Sequence, residues 1–330
     1  YFKRGQFEAA GQILRRWLEF DPQNVEASYQ LALVLLADAA PEALPLLQTA
    51  GNDPSLASRA TELIPALEIA LAEPATVYRL TVCGRALAAV GEWPLAERAF
   101  LRAVDADPTY APAWAWLGEA RQQTGSGEAL PHLQKAVSLA PQAVEMRVML
   151  GLYWQRQGEW AKARDEFEAA ALLEPDNPLW QMSLGEMYAR LGNLVTALGY
   201  YQDATRLAPH ESGAWRALAL FCVENDSYLE DVGREAALQA LALEPGSAQN
   251  MDVLGRVLLA TGDPDSAEAM FQKAIAAAPG DPAPLFHLGL LYLQTGQSDR
   301  ARQSLLSAQA LDGDGPIGAQ AKKVLERYFP

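Results

Sequence analysis

Prolines recur along this chain at a spacing that fixes what it can fold into. Steps of Asp, Ala or Glu followed by proline end at Pro108, Pro141, Pro175, Pro209, Pro245 and Pro279, which lie 33, 34, 34, 36 and 34 residues apart. The stretches between them repeat one arrangement. From Val144 to Asn177 it reads Leu150-Gly151, Trp154, Gly158, Ala163, Phe167, Ala170 and Pro175. The next stretch gives Leu184-Gly185, Tyr188, Gly192, Ala197, Tyr201, Ala204 and Pro209. A later one gives Leu254-Gly255, Leu258, Gly262, Ala267, Phe271, Ala274 and Pro279, and an earlier one Cys83-Gly84, Leu87, Gly91, Ala96, Phe100, Ala103 and Pro108. Each unit holds two runs of about a dozen residues with apolar positions at helical spacing. A glycine between the runs ends the first helix, and the closing proline stops the second. Small residues inside each helix permit close approach, and one bulky residue fills the gap that remains.

This alternation of small and large residues resembles the tetratricopeptide repeat family, over about nine tenths of the chain. The resemblance implies an all-α fold: a right-handed superhelical solenoid of helix-turn-helix repeats with a C-terminal capping helix. Residues 1–53 divide into the second half of a repeat (1–24, with Gly5, Ala10, Leu14 and Pro22 at turn, small, large and closing positions) and a degenerate repeat (25–53). Residues 54–76 are an irregular helical spacer, and Pro65 is expected to kink or split its helix. The spacer is either a decayed repeat or a hinge. Residues 77–315 make seven repeats. Residues 316–330 hold the cap, with Lys322, Lys323, Glu326 and Arg327 on its polar side. The unit at 212–247 is two residues longer than its neighbours, and the excess falls at Asp226–Asp231. The unit at 111–143 is one residue short, at Gly125–Gly127. The first helix of the first repeat is expected to precede Tyr1.

Several chemistries are disfavoured. The chain has 41 acidic and 26 basic residues and a formal charge of −15, with no dense Lys/Arg run, which argues against nucleic acid as a partner. Cys83 and Cys222 form no CxxC pair, and His132, His210 and His287 lie in separate segments, so neither zinc nor a disulfide framework is expected. Both cysteines fall at core-facing repeat positions, where thiols are inert. No hydrolase, metalloprotease, phosphate-loop or dinucleotide motif occurs. No apolar run is long enough to insert in a membrane within this segment, since the run around Leu31–Leu47 is broken by Asp38, Pro41 and Glu42. The expectation is no cofactor, no metal and no catalysis.

What the resemblance implies about a site is a groove lined by the first helix of each repeat. The positions that carry over are Tyr78 and Arg85; Trp116, Glu119 and Gln123; Met149, Leu152 and Arg156; Met182, Glu186 and Arg190; Arg216 and Leu220; Arg256; and Phe286 and His287. No lysine falls among them, which disfavours the lysine and asparagine clamp that co-chaperone members use on a C-terminal carboxylate. An asparagine ladder for peptide backbones is also missing: its positions read Val82, Trp116, Met149, Ser183, Ala217, Val253 and His287. The expected groove is mixed, apolar through Trp116, Met149, Leu152 and Met182, and cationic through its five arginines.

The chain is therefore expected to be a non-catalytic scaffold that holds a protein or peptide of unknown identity. Two other readings stand beside it: a regulatory or substrate-docking region of a larger enzyme, and a module that self-associates into a homo-oligomer through an array end. Acidic composition and two unpaired cysteines favour the cytoplasm, while the incomplete first repeat leaves a secreted or membrane-anchored location open.

Overall fold

The computed structural model describes residues 5–329. Residues 1–4 of the partial repeat and Pro330 of the cap lie outside the described residues. The chain is all-helical, with nineteen α-helices among the described residues, and it divides into two compact units, one through Leu173 and one from Glu174.

Unit 1 begins with four helices: α1 (Phe7–Phe20), α2 (Val25–Leu36), α3 (Ala43–Ala50) and α4 (Ala57–Ala72). Three pairs follow: α5 (Thr76–Ala89) with α6 (Trp93–Ala106), α7 (Ala111–Thr124) with α8 (Leu130–Leu139), and α9 (Val144–Arg156) with α10 (Trp160–Leu173). The C-terminal half of helix α2 is apolar on every side, and Leu31 through Leu36 are all buried. A helix of that kind must be surrounded, and α1, α3 and α5 surround it. Arg98 and Arg102 of α6 both pair with Asp38 in the loop after α2, and Arg98 also reaches Glu8 of α1 at 3.3 Å.

Pro65 does not split α4, which runs unbroken from Ala57 to Ala72. The proline is on the exposed side, so water can satisfy the carbonyl freed by its missing N–H. The opposite side, with Ala60, Leu63, Leu67 and Ala70 buried, is held between α3 and α5.

Unit 2 pairs α11 (Pro178–Arg190) with α12 (Leu194–Leu207), α13 (Ser212–Glu224) with α14 (Arg234–Leu243), α15 (Ala248–Ala260) with α16 (Pro264–Ala277), and α17 (Pro282–Gln294) with α18 (Ser298–Asp312). Helix α19 (Pro316–Tyr328) lies across α17 and α18 as the cap. The two extra residues before α14 are taken up by a π-helical turn, Leu229–Gly233. Tyr228 enters that turn in the left-handed region, with φ 58°. Its neighbour Leu229 docks on the unit's core while Tyr228 stays partly exposed.

In most pairs the two helices come so close that a side chain larger than hydrogen does not fit at the contact. A Cβ on Gly84 would lie 2.5 Å from the Phe100 ring, and one on Gly255 would lie 2.6 Å from Phe271. The pair α13/α14 solves the contact differently, since Ala219 stands at the glycine position and Ala237 at the bulky one, both fully buried. Inside each unit the first helices of successive repeats pack side by side (α5, α7 and α9; α11, α13, α15 and α17), whereas the second helices barely meet. The first-helix layer is thus the more closely packed one.

Candidate functional site

On the first-helix face of unit 1, Arg85 projects from α5 with its guanidinium 5.3 Å from the Trp116 ring centre on α7. Trp116 is held from beneath by the buried Phe100, at 6.0 Å and nearly parallel. One turn along α7, Glu119 accepts from both terminal nitrogens of Arg156 on α9, one at 2.8 Å, and from the Gln123 amide at 2.9 Å. Glu119 is largely covered by these donors. Met149 turns inward and packs with the small cluster of Ala111, Ala115, Ala136 and Met146. Tyr78 and Leu152 are the apolar side chains of this set left exposed, at 37% and 41%.

In unit 2 the equivalent residues surround two hollows. The first, of about 530 Å³, opens between α11 and α13 and is lined by Glu186, Arg190, Tyr201, Leu220 and Glu224, among others. Glu186 and Arg190 pair at 3.8 Å. Burial, reinforced by Glu186 and Glu224, pushes the Tyr201 hydroxyl well above the usual phenol range. Met182 is not at the surface of this hollow but packs against the unit's core.

The second hollow, of about 410 Å³, spans α13, α15, α17 and the cap. Val223, Leu259, Leu290 and Phe271 are among its apolar lining, and Arg256, His287, Gln294 and Gln320 are its polar groups. The His287 Nδ1 lies 2.8 Å from an Asp252 oxygen, and Asp252 is itself buried. The imidazole sits between the rings of Phe271 and Phe286, at 6.0 and 5.6 Å. His287 therefore has a structural anchor and is partly turned toward the hollow. Phe286 is only 7% exposed: it packs with Leu305, Ala308 and Ala321, and what remains of its surface lines this hollow. The last first helix has no following repeat, and α19 packs against it instead.

The five arginines expected to offer donors are not equivalent. Arg156 is committed to Glu119, and Arg190 has Glu186 as a partner. Arg216 donates to the Asn250 side-chain oxygen at 3.0 Å, and Arg85 lies over Trp116. Arg256 lines its hollow with no ion-pair partner among the described residues. Sequence reasoning missed Lys323 and Arg327. They were assigned to the outer polar side of the cap, yet they line a further hollow of about 610 Å³ between α17, α18 and α19. Their spacing from Val324 and Leu325, which dock on α17 and α18, was the available signal.

No cluster of metal-ligating side chains occurs among the described residues, and no described helix is long and apolar enough to cross a membrane. Both thiols are fully buried. Burial pushes Cys83 up to about 12 and Cys222 up to about 11. Because the thiolate is the reactive form, neither should react with a chromogenic aromatic disulfide in the native protein at about pH 8. Both should react once urea unfolds it. Stoichiometric reaction of the native chain within minutes would show that one of these helix pairs opens readily.

The tetratricopeptide repeat family model matches residues 84–144, 119–174 and 148–212, and a second tetratricopeptide repeat model matches residues 258–325. The protein O-mannosyl-transferase TMTC1 of Mus musculus is 29% identical over 128 residues, a match that covers 37% of this chain and 14% of that protein. Among solved structures, yeast Tom70 superposes with a TM-score of 0.60 at 13% identity, covering 99% of this chain and 86% of that one. A tetratricopeptide repeat protein of Parabacteroides merdae superposes with a TM-score of 0.63 at 16% identity, covering 77% and 99%. At these identities the structural likeness concerns the fold.

Proposed function

This chain belongs to the tetratricopeptide repeat family, whose repeats generally serve as protein–protein interaction modules, and from that premise we propose a non-catalytic scaffold that holds a segment of another protein along its first-helix face. The observation that carries the proposal is the pair of hollows in unit 2. Both open on the layer of first helices, and both combine apolar lining with a few convergent polar groups, the usual make-up of a recognition site. Tyr78, Arg85 over Trp116, and Leu152 offer a comparable mixed surface on the same layer of unit 1. Exposed aromatic and arginine side chains are the residue types that dominate binding energy.

Peptides selected from a displayed random library against the whole chain test this reading. Bound peptide is expected to slow amide exchange in α11, α13, α15 or α17. Glu224→Arg, an exposed change at the rim of the 530 Å³ hollow, is expected to shift the affinity of peptides that protect α11 and α13 by roughly tenfold. Protection confined to second helices, or none, would remove the first-helix face from consideration. Glutamate at Met149 or Met182 is a poor probe, because both side chains pack inward and the change would unfold the site instead of blocking it.

The O-mannosyl-transferase relative favours one further reading, in which the repeats dock a substrate or partner for a larger enzyme. The same face would serve, so the peptide experiment applies to both readings. Enzyme activity in the full-length protein separates them.

A further inference from the structure

We propose that the C-terminal end of the first-helix face in unit 2 is a receptor for an acidic peptide segment with an apolar centre. The inference rests on the scaffold reading above and names the ligand chemistry of one part of that face. Three observations carry it.

The first is continuity. The hollow beside Arg256 and the hollow under the cap share Leu290 and Gln294 of α17, so together they make one trough from α13 to α19. The second is the floor. Leu259, Leu290, Leu293 and Val324 line it with apolar surface, while Gln294 brings a side-chain amide that both donates and accepts, as a peptide backbone requires.

The third is charge. Arg256, Lys323 and Arg327 line the trough, and no aspartate or glutamate does. Asp252, the acid buried next to it, is already held by His287. Glu326 of the cap is exposed and lines neither hollow. Arg256 and Lys323 have no ion-pair partner among the described residues, and Arg327 lies over the Tyr328 ring. In a chain with 41 acidic and 26 basic residues, a trough lined by three cations and no acid departs from the rest of the molecule. The neighbouring hollow between α11 and α13 carries Glu186 and Glu224. Charge complementarity of this kind selects among partners and speeds encounter. The fitting occupant inserts an apolar side chain over Leu290 and places carboxylates toward Arg256 on one side and toward Lys323 and Arg327 on the other.

The test uses the whole chain and three fluorescein-labelled dodecapeptides read by anisotropy: one with leucine and phenylalanine at its centre and glutamate on both flanks, one with lysine for every glutamate, and one with serine for the leucine and phenylalanine. The acidic apolar peptide is expected to bind, and the other two at least about tenfold more weakly. Lys323→Glu combined with Arg327→Glu changes only exposed side chains of the cap and should weaken the acidic peptide by roughly tenfold. Arg256→Glu should do the same, and the triple reversal should prefer the lysine peptide. Equal binding of acidic and lysine peptides, or affinity unchanged by the reversals, overturns the proposal. Failure of all three peptides, with a dimer in sedimentation that the reversals dissolve, overturns it in favour of a second copy of this chain. If library-selected peptides still protect α11 and α13, the acidic-peptide proposal fails alone. If no peptide protects any first helix, the scaffold reading fails with it.

Discussion

Phe271→Ala is expected to destabilise unit 2 by about 3–5 kcal/mol, and Gly255→Ala by about 1–3 kcal/mol, yet the double change should cost clearly less than their sum. Phe271 is fully buried, and its ring fills the space against Gly255, where an added Cβ would lie 2.6 Å from a ring carbon. Removing the ring leaves a cavity, and adding the methyl overpacks. Doing both lets the methyl occupy part of the vacated volume. The chain already contains this solution, with Ala219 and Ala237 at the equivalent places of α13 and α14, both without solvent exposure. A coupling of about 1–3 kcal/mol between the two sites is therefore expected. Urea unfolding followed by circular dichroism, with both ends of the array unchanged, measures it. Additivity to within about 0.5 kcal/mol would mean that the ring and the glycine are not in one packing unit. Because repeat arrays lose cooperativity with length, the comparison belongs to the transition that reports unit 2.

That small-for-large exchange is also where the sequence was most readable. Glycine, alanine and one bulky residue at fixed offsets specify a helix pair, because close approach and gap filling are local demands that recur in every unit. Helix α2 was less readable, since an unbroken apolar run from Leu31 to Leu36 says that a helix is surrounded but not by what. Pro65 does not split its helix, one of its two expected effects, because the rule against proline inside a helix assumes that the freed carbonyl is costly. At an exposed position, with the other side of α4 pinned between two helices, the cost is small enough to bear. Phe286 does line the hollow beside the cap, but most of its ring is buried, because the last repeat has a cap where others have a following repeat.

The arginines show a limit that the repeat itself could have lifted. Glu119 and Arg156 are 37 residues apart, Arg216 and Asn250 are 34, and Asp252 and His287 are 35. In a solenoid, residues about one period apart on first helices are neighbours, so opposite charges at that separation should be read as pairs before either is offered to a ligand. By that rule Arg156 is spoken for. Arg256 has Leu290 one period onward and Leu220 one period back, so no acid is in register to claim it. Lys323 and Arg327 lie beyond the repeats, where no period applies, and only the packing of α19 against α17 and α18 brings them to the trough.

Asn250 decides whether Arg216 belongs to the fold or to the site. It has no solvent exposure, donates from its amide nitrogen to the Ala240 carbonyl at 2.9 Å, and accepts from Arg216 at 3.0 Å. Asn250→Leu keeps the volume but withdraws both bonds. The Arg216 guanidinium then loses its acceptor, and the expected cost is about 1–3 kcal/mol in urea unfolding. Arg216→Leu alone should cost less, because the guanidinium is partly exposed and the asparagine keeps its bond to Ala240. In the Asn250→Leu background the same arginine change should cost almost nothing, since the bond it would remove is already gone. A single Arg216→Leu that leaves stability within about 0.5 kcal/mol of the parent while weakening library-selected peptides would assign the arginine to ligand recognition, with Asn250 serving to aim it. A loss of stability with peptide affinity intact would assign it to the packing of α13 on α15, and would leave Arg256 as the cation of this face that is free to meet a partner.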